Sequence, residues 1–176
     1  MRNISQPRIE PEAVLSLRAA PPTECTLDQL FECIEWVAPG FEIVQSHLKD
    51  WKFDLPDAVA DGSLHARLIV GQQAQVRSLA NSASSFCQLL AKAKLNLLCD
   101  GQHMDGGVGA NVWGDPLHAL LHFVHELHAC PGAPALQAGD VITTGTWTDA
   151  FPVAAGQTWH AVFDAPLSAL GITFGP

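Results

Sequence analysis

Basic residues are scarce in this chain: nine Lys and Arg stand against 18 Asp and Glu, for a net charge of -9 over 176 residues. That balance argues against nucleic acid as a partner, because neutralising phosphates takes clustered Lys and Arg. An anionic substrate would need help from a cation, which an acidic chain can bind. The five cysteines, Cys25, Cys33, Cys87, Cys99 and Cys130, are odd in number and form no CxxC pair. They read as thiols of a reducing compartment rather than a disulfide framework. No apolar run approaches the roughly 20 residues of a membrane span. The opening MRNISQPRIEPE lacks the apolar core of a secretory signal. Neither internal repeats nor low-complexity linkers occur. The expectation is a cytoplasmic protein with no membrane and no nucleic-acid partner.

Apolar residues are plentiful, at 48% against 15% charged. That is enough for a packed core, and the length suits a single domain over residues 1–176. Apolar patterning predicts a strand over 12–18. A helix follows from the cap Thr26 to about residue 37, with Gln29 as capping-box partner and Pro39-Gly40 as its stop. Strands are expected over 41–46 and 67–70, with 56–65 open between a short helix and a loop. Residues 76–99 read as two or three strand-like stretches, with 89–93 open to helix. Gly106-Gly107 and Gly109 mark a turn. Pro116 opens the clearest helix, to about residue 129, with Leu117, Leu120, Leu121, Val124 and Leu127 on one face. Further strands are expected over 140–144, 159–163 and 170–174. Many short strands with two good helices predict an α+β, β-rich domain rather than a βαβ repeat.

Three acidic residues carry the chemistry. Glu10 and Glu12 are two apart in an extended segment, so both side chains share a face. Such a pair can chelate a hard cation such as Mg²⁺ or Mn²⁺, although a solvated strand also produces it. Glu42 lies among Phe41, Ile43 and Val44, on a half-buried strand. A lone carboxylate there needs a partner, either Arg or Lys or a metal. The shortage of basic residues tilts the choice towards a metal.

Arg8-Ile9-Glu10-Pro11-Glu12 and the later run from Phe41-Glu42-Ile43-Val44-Gln45-Ser46-His47 to Lys52 resemble the metal-binding section of the 2-keto-4-pentenoate hydratases. These belong to the fumarylacetoacetate hydrolase superfamily. Ala60-Asp61-Gly62-Ser63 is similar to an Ala-Asp-Asn segment of that family. Gly109-Ala110-Asn111-Val112-Trp113-Gly114-Asp115-Pro116-Leu117 is similar to its glycine-rich turn into a helix. Ala138-Gly139-Asp140-Val141-Ile142-Thr143-Thr144-Gly145-Thr146 resembles the superfamily's Thr-Gly-Thr segment. The matches keep their order from residue 8 to the C-terminus.

The resemblance implies a mixed β-sandwich roll with flanking helices. It implies Glu10, Glu12 and Glu42 as ligands of Mg²⁺ or Mn²⁺, with Thr146, and Thr144 nearby, holding a substrate carboxylate. The substrate would be a small 2-oxo acid, chelated through its carboxylate and keto oxygens, with the metal acting as a Lewis acid while an enolate forms. The implied activity is a hydratase of a 2-oxo-4-enoic acid. A decarboxylase, a C–C hydrolase or a non-catalytic homologue of the same type are the alternatives, and a homo-oligomer is implied.

The chain departs from the family in three places. The family's further N-terminal region, which supplies a lysine, has no counterpart. Gln45 and His47 stand where Asp and Arg are common. Gly62-Ser63-Leu64-His65 replaces Asn-Ala-Ser-Ser. His65, with Asp61 four residues before it, is therefore a candidate catalytic residue, as a donor or general acid/base; a hydrogen-bonded surface His is the alternative. His118, His122 and His125 form a stripe on the 116–129 helix. HxxxH can bind Zn²⁺, but without a ligand at suitable spacing a polar helix flank is the simpler account, with His128 packed.

Overall fold

The computed structural model describes residues 4–175. Two sheets share one apolar core, and every strand pairing among the described residues is antiparallel. The first sheet has β1 (Arg8–Leu17) at its centre, β2 (Ile34–Val44) beside it, and β3 (His65–Val70) outside β2. Short β4 (Ala74–Gln75) also pairs with β2. On the other edge β1 pairs with β7 (Val141–Thr146) and β8 (Phe151–Pro152). The second sheet runs β10 (Leu170–Thr173), β9 (Thr158–Phe163), β5 (Lys94–Cys99), β6 (Gln102–Val108). The helices are α1 (Leu27–Cys33), α2 (Leu55–Ala60), α3 (Val76–Leu79), α4 (Ala83–Lys92) and α5 (Pro116–Ala129). Ile9, Ala13 and Leu15 of β1 join Leu95 and Leu97 of β5, Trp159 and Ala161 of β9, and Phe31, Phe86, Leu90, Leu117 and Leu120 of the helices in one cluster. The strand-rich α+β class follows. No helix among the described residues is long and apolar enough to cross a membrane.

Three local expectations are corrected. The helix capped by Thr26 and Gln29 forms, with both capping-box bonds, but stops at Cys33. Ile34–Val44 is one continuous strand. Pro39 does not break it, because β3 pairs with residues 40–44 and β4 with 36–37, leaving Pro39 in the gap between them. Residues 83–92 form a helix rather than strands. Ala83, Phe86, Cys87 and Leu90 are buried at helical spacing behind the N-cap Ser82. The turn expected at Gly106-Gly107 and Gly109 begins only at Gly109, and the β5–β6 hairpin turns at Asp100-Gly101, with φ of 49° and 80°, as a two-residue Asp-Gly connection requires.

Gly106 and Gly107 lie inside β6 because another chain segment comes too close for a side chain. A Cβ on Gly107 would fall 2.1 Å from the carbonyl oxygen of Trp147. That carbonyl also accepts from Asn111 Nδ2 at 2.9 Å. Gly107→Ala should therefore destabilise the fold by about 1–3 kcal/mol through overpacking against backbone. Urea denaturation would measure it; an unchanged midpoint would refute the close approach.

Candidate functional site

Strand register assembles the acidic cluster. Glu10 sits directly opposite Glu42 in the β1–β2 ladder, and Glu12 lies two residues along β1. All three side chains therefore face the same side of the sheet, away from the main core. Their nearest carboxylate oxygens all lie within 4.8 Å of one another. Val14, Trp36 and Ala38 extend this face as a small apolar cluster, with Leu68 packed against it. Glu12 is only 1% exposed. No Arg or Lys nitrogen lies within ion-pair distance of the three among the described residues. The partner of Glu42 is His65, whose Nδ1 is 2.6 Å from Oε1.

Two β-bulges aim the surrounding groups. Between β1 and β7, Glu12 pairs with Thr146 but Val14 pairs with Thr143, so β7 carries one extra residue. Gly145 occupies that bulge at φ +116°, a conformation suited to glycine. Its N–H points at Glu12 and donates to Oε2 at 2.7 Å. Between β2 and β3, Ile43 pairs with Arg67 and Val44 with His65. The extra residue, Ala66, shifts the side-chain alternation, and His65 lands on the Glu42 face.

The electrostatics show a site short of positive charge. Burial pushes the Glu10 carboxyl up from 4.5 to about 7, the Glu42 charge adds to the rise, and Arg8 partly offsets it. Glu12 is raised well above the usual range, first by burial and next by Glu42; the Gly145 N–H opposes the rise and Glu10 adds to it. Three carboxyls this close cannot all ionise without a compensating cation. An all-oxygen donor set of this kind could hold a hard divalent ion.

The remaining sequence candidates divide. His65 joins the cluster through Glu42. Asp61, just after α2, bonds to His47 instead: Oδ2 accepts from the His47 N–H at 3.0 Å and Oδ1 lies 2.5 Å from Nδ1. Those bonds hold its carboxyl below the usual range. Thr146 stands opposite Glu12, but its hydroxyl donates to the Thr148 carbonyl at 3.0 Å. The Thr144 hydroxyl donates to the Ala13 carbonyl at 3.3 Å. The histidine stripe does not converge. His118 meets Asp115, His122 stacks on Trp113 at 4.3 Å, and His125 Nε2 lies 2.9 Å from the Cys25 carbonyl. His128 is partly buried. Sequence reasoning missed the Gly145 N–H, although a glycine between two threonines signals a bulge. It also found no Cys or carboxylate near His118, whereas the fold brings Cys87 and Asp115 there.

No family profile matches the chain. It is 32% identical over 160 residues to a 2-hydroxyhexa-2,4-dienoate hydratase of Comamonas testosteroni, covering 90% of this chain and 57% of that protein. The fold superposes with a TM-score of 0.85 on a 4-oxalocrotonate decarboxylase of Pseudomonas putida complexed with magnesium and adipate, at 26% identity, covering 97% of this chain and 61% of that one. The chain is similar in sequence and in fold to these dienoate hydratases and oxalocrotonate decarboxylases. A fumarylpyruvate hydrolase of Pseudomonas aeruginosa, in complex with Mn²⁺ and pyruvate, has the same fold at a TM-score of 0.72 and 16% identity, covering 99% of this chain and 68% of that one. The chain spans less than two thirds of the length of the first two.

The raised carboxyls make the stability of the cation-free protein pH-dependent. Glu10 holds a proton in the fold up to about pH 7 but loses it near 4.5 when unfolded. The stability it contributes is therefore complete below 4.5 and is lost as pH rises to about 7, on the order of 1–3 kcal/mol. Glu12→Gln keeps an acceptor for the Gly145 N–H and removes a carboxyl whose ionisation the fold resists. In chelator at pH 8 it should melt several degrees above wild type. Equal stability of wild type at pH 5 and pH 8, with no gain in the variant, would show that the cluster is not under repulsion.

Proposed function

We propose that the chain is the cation-binding domain of a hydratase acting on a 2-oxo-4-enoic acid of the 2-keto-4-pentenoate type, with Glu10, Glu12 and Glu42 as ligands of Mg²⁺ or Mn²⁺. The observation that carries this is the convergence of three carboxylates within 4.8 Å on one sheet face, with no Arg or Lys paired to them among the described residues. The donor set fits a hard cation, and the raised carboxyls are those that a cation would relieve. A bound ion would supply Lewis acidity towards the carbonyl of a 2-oxo acid and offset the charge that develops on its oxygen.

The protein groups have separate tasks. The Gly145 N–H holds Glu12 in one orientation. His65 is anchored by Glu42 and exposes about half of its side chain, 50%, beside a cavity of about 460 Å³. Leu68, Phe123, Leu136 and Ile142 line that cavity and suit the hydrocarbon end of a dienoate. His65 would give or take the proton at the substrate carbon. Thr146 would hold the substrate carboxylate by exchanging the Thr148 carbonyl for it, with Thr144 supporting the bulge. Asp61 acts through His47, which it orients. A decarboxylase or C–C hydrolase would use the same carboxylates and cavity. The protein would be a cytoplasmic homo-oligomer, for which the exposed Leu55 and Val59 of α2 offer apolar surface.

Calorimetric titration with Mg²⁺ in the presence of pyruvate tests the site. Glu12→Gln and Glu42→Gln should each weaken binding at least about tenfold, or 1.4 kcal/mol. Loss of 2-hydroxypenta-2,4-dienoate absorbance then tests turnover, which both variants should abolish. Unchanged Mg²⁺ affinity in both would remove the proposal. Cation binding without turnover in wild type would instead identify a ligand-binding module.

A further inference from the structure

A second convergence of ligating side chains lies outside the glutamate face, between α4 and the start of α5. Cys87 of α4, Asp115 at the cap of α5 and His118 in its first turn each offer one ligand atom, all within 4.8 Å of one another. We propose that Cys87, Asp115 and His118 form a Zn²⁺ site with one coordination position open to the adjoining cavity. That cavity, of about 320 Å³, is lined by these three residues with Leu27, Ser84, Gln88 and Ala91.

Helix capping accounts for part of the arrangement, but not all of it. Asp115 Oδ1 accepts from the backbone N–H groups of Leu117 at 2.9 Å and His118 at 3.0 Å, which completes the cap. Oδ2 is left over and lies 2.5 Å from His118 Nδ1. Cys87 belongs to a different helix, and the cap does not use it. Cys87 and Asp115 are 7% and 5% exposed, so a thiol and a carboxyl are held together away from water. Burial pushes the Cys87 thiol up to about 12, and Asp115 adds to the rise. This is the wrong environment for a nucleophilic cysteine, which needs positive charge nearby.

The donor chemistry selects the ion. One sulfur, one nitrogen and one oxygen suit borderline Zn²⁺ or Co²⁺, whereas the three-oxygen cluster on the sheet suits Mg²⁺ or Mn²⁺. Two donors on a tetrahedral zinc, each at about 2.0–2.1 Å, stand about 3.3 Å apart. The Asp115–His118 contact must therefore open by somewhat under an ångström. The His118 side chain is 51% exposed and is free to make that movement. Three protein ligands leave the fourth position for water or a small anion, the pattern of open rather than closed zinc sites. This inference stands apart from the proposed activity, since it uses none of the groups assigned to it.

Cobalt titration of the full chain, with Mg²⁺ in excess to occupy the glutamates, tests the site. One Co²⁺ per chain should bind and give a thiolate-to-cobalt charge-transfer band. Cys87→Ser should abolish the band, while Cys130→Ser should leave it. His118→Gln and Asp115→Asn, the latter keeping the cap oxygen, should weaken Zn²⁺ binding tenfold or more with helix content unchanged by circular dichroism. Glu42→Gln should leave Zn²⁺ affinity unaltered. Absence of the band, a band that survives Cys87→Ser, or Zn²⁺ affinity that follows Glu42 rather than Cys87 would each overturn the proposal.

Discussion

Repulsion among three carboxylates on one sheet face is the constraint on which the site depends. Glu10 faces Glu42 across the β1–β2 ladder, and Glu12 follows on the same side. Separating them would mean slipping the register of the central strand. A slip of one residue would turn Ile9, Ala13 and Leu15 out of the main core. Apolar burial along the other face therefore holds like charges together at a cost they could not sustain alone. The fold moderates that cost with one backbone donor, the Gly145 N–H, and one ring, His65.

Both moderating groups arrive through irregularities in the ladder. The extra residue in β7 turns the Gly145 amide onto Glu12, and the extra residue in β3 turns His65 onto Glu42. A regular sheet would satisfy the Gly145 N–H across the ladder and would turn the His65 ring to the opposite face. The bulges lie at the two strands flanking the acidic pair, so the local loss of pairing is confined to where it aims a group.

Much of the site was legible because its geometry is local. The spacing of Glu10 and Glu12 fixes a shared face once the segment is extended, and Glu42 among apolar neighbours announces a carboxylate in need of a partner. The Thr26–Gln29 box and the leucine face of α5 were equally readable, since both depend on neighbours three or four residues away. The histidine stripe does not converge: its members meet Asp115, Trp113 and the Cys25 carbonyl in turn. Where periodicity was weak the reading failed. Residues 83–92 bury a helical face built from Ala, Phe, Cys and Leu, a composition that also suits a strand. Pro39-Gly40 read as a stop, but the neighbouring strands leave a gap there.

The amino-acid sequence by itself determined the strand-rich class, the two cardinal acids on β1, and the resemblance that links them to Glu42. Each of these rests on side-chain alternation or on motifs read in order along the chain. Only the tertiary structure decided that His65, rather than an arginine or lysine, meets Glu42, that Asp61 turns to His47, and that Cys87 reaches Asp115 and His118. Those partners come from different elements, and their meeting depends on bulges, ladder register and helix packing, which no local pattern encodes.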